Sequence, residues 1–365
     1  MPATTSSVSF WGTKGIRRRL TLALLTRTNI TISGIRTAEE DAHIGVTEDE
    51  LSLIKLFRQL CPAAGISVTK SGTEIVVSWH GTGSAVPGGS FSHVCPSGRS
   101  VAWFAECVLL AGSVAAAPLC VRFAGPATDL AGNSIDGLRA VNIPLLKEFG
   151  VFASIDIVGR TAVGARVGGS VTVAVMPPRQ LIPAELTTTD IISRVRGVAY
   201  STGLDPTLVA LAAEAAETLL KRTVPDTEIA VIASPNEGHT TDKGYGMTLV
   251  ASADDSHINL AASCTFCPRG EKDYFAFPSP ENLGVRAGRL LIQQLVKHGS
   301  VSTASTPFVL TLLALAQRSG HAGAVRVGSL NGKIVQVLRD IKAFFGLEFD
   351  LQHDHKSKTV VLTPS

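Results

Sequence analysis

The chain has 365 residues, of which 45% are hydrophobic and 17% charged, and its formal net charge is +3. It is long and apolar enough for two cores and too apolar for a disordered chain; its basic excess is weaker than is usual for a protein that holds nucleic acid by phosphate contacts alone, so local clusters of charge matter more than the total. The longest apolar stretch, 101–118, is broken by Glu106, Gly112 and Ser113, so it reads as a buried helix, and no membrane partner is expected.

At the start, MPATTSSVSFW lacks the apolar run of a signal peptide. Six cysteines without paired spacing point to reduced thiols inside a cell. A glycine turn, WGTKG at 11–15, precedes a helix expected over 16–25. Its amides and Lys14 suit an anion at a helix N-terminus, although the spacing is not that of a P-loop. Lys14, Arg17, Arg18 and Arg19 form the densest basic run, either a solvated helix edge or the rim of an anion-binding cleft.

A strand, NITISGIRT, follows, then an amphipathic helix over 49–60 and the strand GISV. The same order returns with a helix over 99–110, LCVRFAGPA, a helix over 136–150 and VFASIDIV. It returns again with a helix over 306–316, GAVRVGSL, a helix over 333–346 and LEFDLQ. The copies span 29–79, 119–176 and 324–363. Unequal intervals between copies argue for pseudo-symmetry and against a stacked solenoid. The predicted class is α/β (α+β), with three pseudo-symmetric repeats of two helices on a four-stranded sheet, their helices packed centrally. VPGGS (86–90) and RVGGS (166–170) suit hairpin turns.

Between the second and third copies, the sequence has its own helix-strand pattern. A helix opens at Asp205-Pro206, and EIAVIAS, YGMTLVAS and HINLAAS read as strands. Prolines at 177, 178 and 183, and again at 268, 278 and 280, punctuate its ends. The expected division is a small inserted α/β domain over 183–269, with 1–182 and 270–365 forming the three-repeat domain.

Nine histidines are dispersed, and Cys264-x-x-Cys267 has no second pair to complete a tetrahedral zinc site, so no metal is expected. His353 and His355 in QHDHKSK read as part of a solvated turn. On a helical wheel of the last helix, Ile334, Val337, Leu338, Ile341, Phe344 and Phe345 share one face. Lys333, Arg339, Asp340 and Lys342 are left for the polar side.

Five segments, NSIDGLRAVNIPLLKEFGV (133–151), RVRGVAYSTGLDP (194–206), GYGMTLVAS (244–252), PENLGVRAGRLLIQQL (280–295) and LRDIKAFFG (338–346), resemble the RNA 3'-terminal phosphate cyclase family. The resemblance is to its cyclase-like branch of eukaryotic ribosome-assembly proteins. It implies three repeats of two helices on a four-stranded sheet with a small inserted domain. Cyclases of the family carry a catalytic histidine in the last repeat that takes AMP from ATP. Lys333 stands at that position here, so cyclase activity is not expected and no cofactor is expected. What the branch implies instead is a nuclear, nucleolar factor of the small-subunit processome, bound to a processome GTPase, with pre-rRNA or a snoRNP as further partners. An endoribonuclease acting through Arg339, Asp340 and Lys342 is the alternative that the resemblance implies. Lys14, Arg17, Arg19 and Lys333 are the candidates for holding an anion or RNA.

Overall fold

The computed structural model describes residues 7–38, 43–80, 83–161, 169–233, 244–254, 259–266, 279–297, 299–317 and 322–365. Strand β1 (Ser7–Trp11) leads through a glycine turn into α1 (Ile16–Thr26), which ends where Arg27 turns left-handed, at φ 56°. Strand β2 (Asn29–Ser33) returns parallel to β1, making a βαβ crossover. Helix α2 (Glu48–Leu60) opens with a capping box: Thr47 Oγ1 accepts from Glu50 N–H, and the Glu50 carboxylate accepts from Thr47 N–H. Antiparallel β3 (Ala64–Val68) and β4 (Ile75–Trp79) complete a sheet of order β1-β2-β4-β3.

The second unit has the same connectivity. It comprises β5 (Gly89–Val94), α3 (Val101–Ser113), β6 (Leu119–Ala124), α4 (Ile135–Glu148), β7 (Phe152–Ile157) and β8 (Ser170–Met176). Its sheet order is β5-β6-β8-β7. The VPGGS segment enters β5, which pairs parallel with β6, so it is not a hairpin turn; Gly88 and Gly89 take φ of 95° and 117° there. Most of RVGGS lies outside the described residues. Opening strands β1 and β5 were not foreseen, because residues 7–11 and 89–94 are half-exposed edge segments without an apolar run to mark them.

Strand β9 (Glu185–Leu186) starts a third unit that the chain then leaves. The intervening elements are β10 (Arg194–Thr202), α5 (Pro206–Leu220), β11 (Asp226–Ala233), β12 (Gly244–Ser252), β13 (Asn259–Phe266) and α6 (Pro280–Leu295). They form a sheet of order β11-β10-β12-β13 and a separate core that includes Val195, Ala212, Met247, Leu249, Leu283 and Ala287. The third unit resumes with α7 (Thr306–Ala316), β14 (Ala324–Val327), α8 (Gly332–Phe345), β15 (Phe349–Asp354) and β16 (Thr359–Pro364), in a sheet of order β15-β16-β14-β9.

This grouping differs from the expected 183–269 insertion at both ends. Glu185 and Leu186 pair with Ala324 and Val325 in the third sheet, while α6, beyond residue 269, packs on α5. A two-residue strand has no alternation to read, and an amphipathic helix does not announce which sheet it covers.

Helices α1, α3 and α7 are buried on nearly every side and share one core, with Leu20, Leu24, Phe104, Val108, Phe308 and Leu312 at its centre. An α-helix apolar all round belongs to an interior. Where they meet, a cavity of about 170 Å³ remains, lined by Arg17, Thr21, Glu106, Cys107, Phe308 and Thr311 among others. No helix among the described residues is long and apolar enough to cross a membrane.

Candidate functional site

Helix α8 begins where Asn331 caps it, its Oδ1 accepting the N–H of Lys333 and Ile334 at 3.0 Å each. Lys333 therefore stands in the first turn with its side chain exposed. Further along, Arg339 and Lys342 are also exposed, and Lys342 pairs with Glu348.

Asp340 does not share that face. It is 1% exposed, and three side chains hold it. Arg18 donates to Oδ2 from Nε at 2.9 Å and Nη2 at 2.6 Å; Arg19 Nε donates to Oδ1 at 3.3 Å, and Gln336 Nε2 to Oδ1 at 3.0 Å. The polar-face assignment is thus corrected for Asp340. Its lone pairs are taken up by Arg18 and Arg19 of α1 and by Gln336 of its own helix, and the Arg339, Asp340 and Lys342 set is divided between surface and interior.

The basic run on α1 is likewise occupied. Arg17 donates to the Trp103 carbonyl at 2.7 Å and to Glu106 Oε1 at 2.9 Å, with its guanidinium 5.2 Å from the Trp103 ring centre. Burial is the largest influence on Arg17 and works against its charge, but the neighbouring Glu106 carboxylate, Cys107 and Asp129 together outweigh it and keep the guanidinium above its ordinary pKa. Arg19 lies over Phe10 at 4.2 Å, and its Nη1 is buried without a hydrogen-bond partner. Lys14 is exposed.

The glycine turn explains how α1 reaches α8. Gly12 and Gly15 take φ of 79° and 76°, and Gly15 opens α1 with no side-chain cap. A Cβ on Gly15 would lie 2.9 Å from Arg18 Nη2 and 3.4 Å from Asp340 Oδ2. The carboxylate of Asp340 thus sits beside the α1 N-terminus, where the helix dipole favours negative charge. The anion cradle read from WGTKG, Arg17 and Arg19 is filled largely from within, by Asp340 and Glu106. Of the four anion or RNA candidates, Lys14 and Lys333 keep exposed ammonium groups. Arg18, the main partner of Asp340, was legible only as one member of the basic run.

The central cavity is smaller than the roughly 300–1,000 Å³ typical of ligand pockets. Burial pushes the Cys107 thiol on its wall up, with Arg17 opposing, so the group is an inert neutral thiol. Among the described residues there is no cluster of His, Cys, Asp or Glu that could hold a metal ion. Cys264 is buried, and Cys267 lies outside the described residues, as do His239, His257, His298 and His321.

Three mixed sheets of one connectivity, with a fourth sheet inserted into the last unit, are consistent with the fold of the phosphate-cyclase class. The family model for RNA 3'-terminal phosphate cyclase matches residues 8–351, and the chain belongs to that family. Within it, the chain is 28% identical over 350 residues to the mouse RNA 3'-terminal phosphate cyclase-like protein, covering 95% of this chain and 90% of the relative. It is 27% identical over 348 residues to the human protein of the same name, with the same coverage. It is also 27% identical over 346 residues to the rRNA processing protein rcl1 of Schizosaccharomyces pombe, covering 93% of this chain and 90% of the relative.

Proposed function

We propose that this chain is a non-catalytic factor in the processing of small-subunit pre-rRNA, acting in the nucleolus and docking a processome GTPase. Likeness to cyclase-like relatives, one of them named for rRNA processing, supports the process. The observation that carries the non-catalytic part is the state of Asp340. A carboxylate locked between Arg18, Arg19 and Gln336 is a fastener between α1 and α8. Lys333, where a cyclase needs histidine, supports the absence of cyclase activity.

The endoribonuclease alternative asks one group to take the 2'-hydroxyl proton and another to protonate the leaving oxygen, each near neutral pKa. Arg339 offers charge stabilisation. Asp340 would have to leave two guanidinium partners before it met substrate.

Replacement in cells tests the reading. Depletion should accumulate uncleaved small-subunit pre-rRNA, restored by the parent chain; unchanged precursor levels would refute it. For the partner, a Lys333→Ala, Arg339→Ala double variant should lose GTPase in a pull-down, and full retention would remove this face from the interface.

A further inference from the structure

The turn between β15 and β16 belongs to a second basic site, well apart in sequence from the run on α1. Lys356 and Lys358 project from it, and Lys297, just beyond α6, completes a pocket of about 500 Å³ that Thr189, Ser329 and Ser357 also line. Among the described residues, no carboxylate lines it, and no aromatic ring does.

Three features build the site. First, Gly328 lets the end of α6 approach β14 closely. A Cβ there would lie 2.5 Å from the Lys297 carbonyl oxygen, so only glycine brings Lys297 alongside the turn.

Second, the one carboxylate of the turn is already spent. Asp354 Oδ1 accepts the N–H of Lys356 and Ser357 at 3.0 and 3.3 Å, while Arg326 Nη1 donates to Oδ2 at 3.1 Å. The turn is held without neutralising its lysines. Among the described residues, neither Lys356 nor Lys358 has an ion-pair partner, and the Lys297 ammonium donates only to the Thr303 hydroxyl, at 3.2 Å.

Third, Lys358 takes φ 55°, a left-handed position that glycine occupies without strain. The turn thus carries a charge at a position where an L-residue is strained and glycine would not be.

Resting on the pre-rRNA reading, we infer that this pocket holds the phosphodiester backbone of single-stranded RNA. Convergent ammonium and hydroxyl donors suit phosphate oxygens, and the described lining, without an aromatic ring, offers no stacking platform for bases. Binding is therefore insensitive to sequence and strongly dependent on salt. Ser329 also places the pocket at the entrance to α8, so the strand continues toward Lys333.

The test uses the full chain and a labelled single-stranded spacer RNA, with affinity read by fluorescence anisotropy over a salt series. The variant is Lys297→Gln, Lys356→Gln, Lys358→Gly. Its affinity should fall at least about tenfold at low salt, and its logarithmic salt slope by about 2, for three lost phosphate contacts on a single strand. Lys358→Gly alone should weaken binding while melting no lower than the parent, because it relieves the turn; this separates lost charge from lost fold.

Unchanged affinity and slope in the triple variant would overturn the inference, as would a parent chain that does not bind the RNA. Loss of phosphoserine-peptide binding with RNA binding intact would also overturn it, assigning the pocket to a phosphoprotein. Each of these results leaves the processing role standing, since that role is read from precursor accumulation in cells.

Discussion

A carboxylate that is 1% exposed and bound by two arginines is costly to disturb on one side only. Removing one partner of a buried ion pair leaves the other charges uncompensated, at about 3–5 kcal/mol. Asp340→Ala is therefore expected to lower unfolding stability by that amount in urea titrations. Lys342→Ala removes only a pair that is more than half exposed on both sides, and should stay within about 0.5 kcal/mol of the parent. An Asp340→Ala protein that unfolds like the parent yet loses its function would instead place the carboxylate in chemistry. At this scale the sequence was partly legible. With about 100° per residue, Asp340 falls about 40° from Phe344 on the wheel, at the border of the apolar face. The wheel left Asp340 on the polar side of that border, and the partner that draws it inside was out of reach, because Arg18 lies more than 300 residues away along the chain.

Elements were the most legible scale, since helix period and strand alternation are local properties of the chain. The helices expected over 49–60, 136–150 and 333–346 stand at Glu48–Leu60, Ile135–Glu148 and Gly332–Phe345. Which helix meets which was not legible, and the α5–α6 pair shows why. Its contact depends on missing side chains: a Cβ on Gly284 would lie 1.9 Å from the Ala212 carbonyl oxygen, and one on Gly288 would lie 2.9 Å from Leu219 Cδ2. In an isolated helix, replacing glycine by alanine gains about 1 kcal/mol. Here Gly284→Ala must push two backbones apart, an overpacking cost of about 1–3 kcal/mol or more. Gly284→Ala is expected to lower Tm, whereas Gly332→Ala, with nothing within 4 Å of its new methyl, should leave Tm unchanged or raise it. Equal Tm values for Gly284→Ala and the parent would mean that α5 and α6 are not in close backbone contact.

Across the whole molecule, the question is what fastens one sheet-and-helix unit to the next. Asp340 is one such fastener, joining the first unit to the third; His93 is another, joining the first to the second. In sequence it was only one of nine scattered histidines. In the fold, His93 on β5 is 8% exposed, its Nε2 lies 2.9 Å from Ser52 Oγ on α2, and its ring packs against Phe104 of α3 and Phe123 of β6. Burial, reinforced by the Lys55 ammonium on α2, lowers its pKa from the usual 6.5 to about 4. The unfolded chain thus binds a proton on this group at a higher pH than the native fold does. Its contribution is fully present above about pH 6.5 and is lost as pH falls toward 4. The difference amounts to about 2 kcal/mol by about pH 5. Chemical denaturation at a series of pH values should show this decline, and His93→Gln, though less stable near neutrality, should show a flatter profile over the same window. If the two slopes coincide, the imidazole is not buried neutral between the units, and the joint between the first and second sheets rests on the surrounding apolar side chains alone.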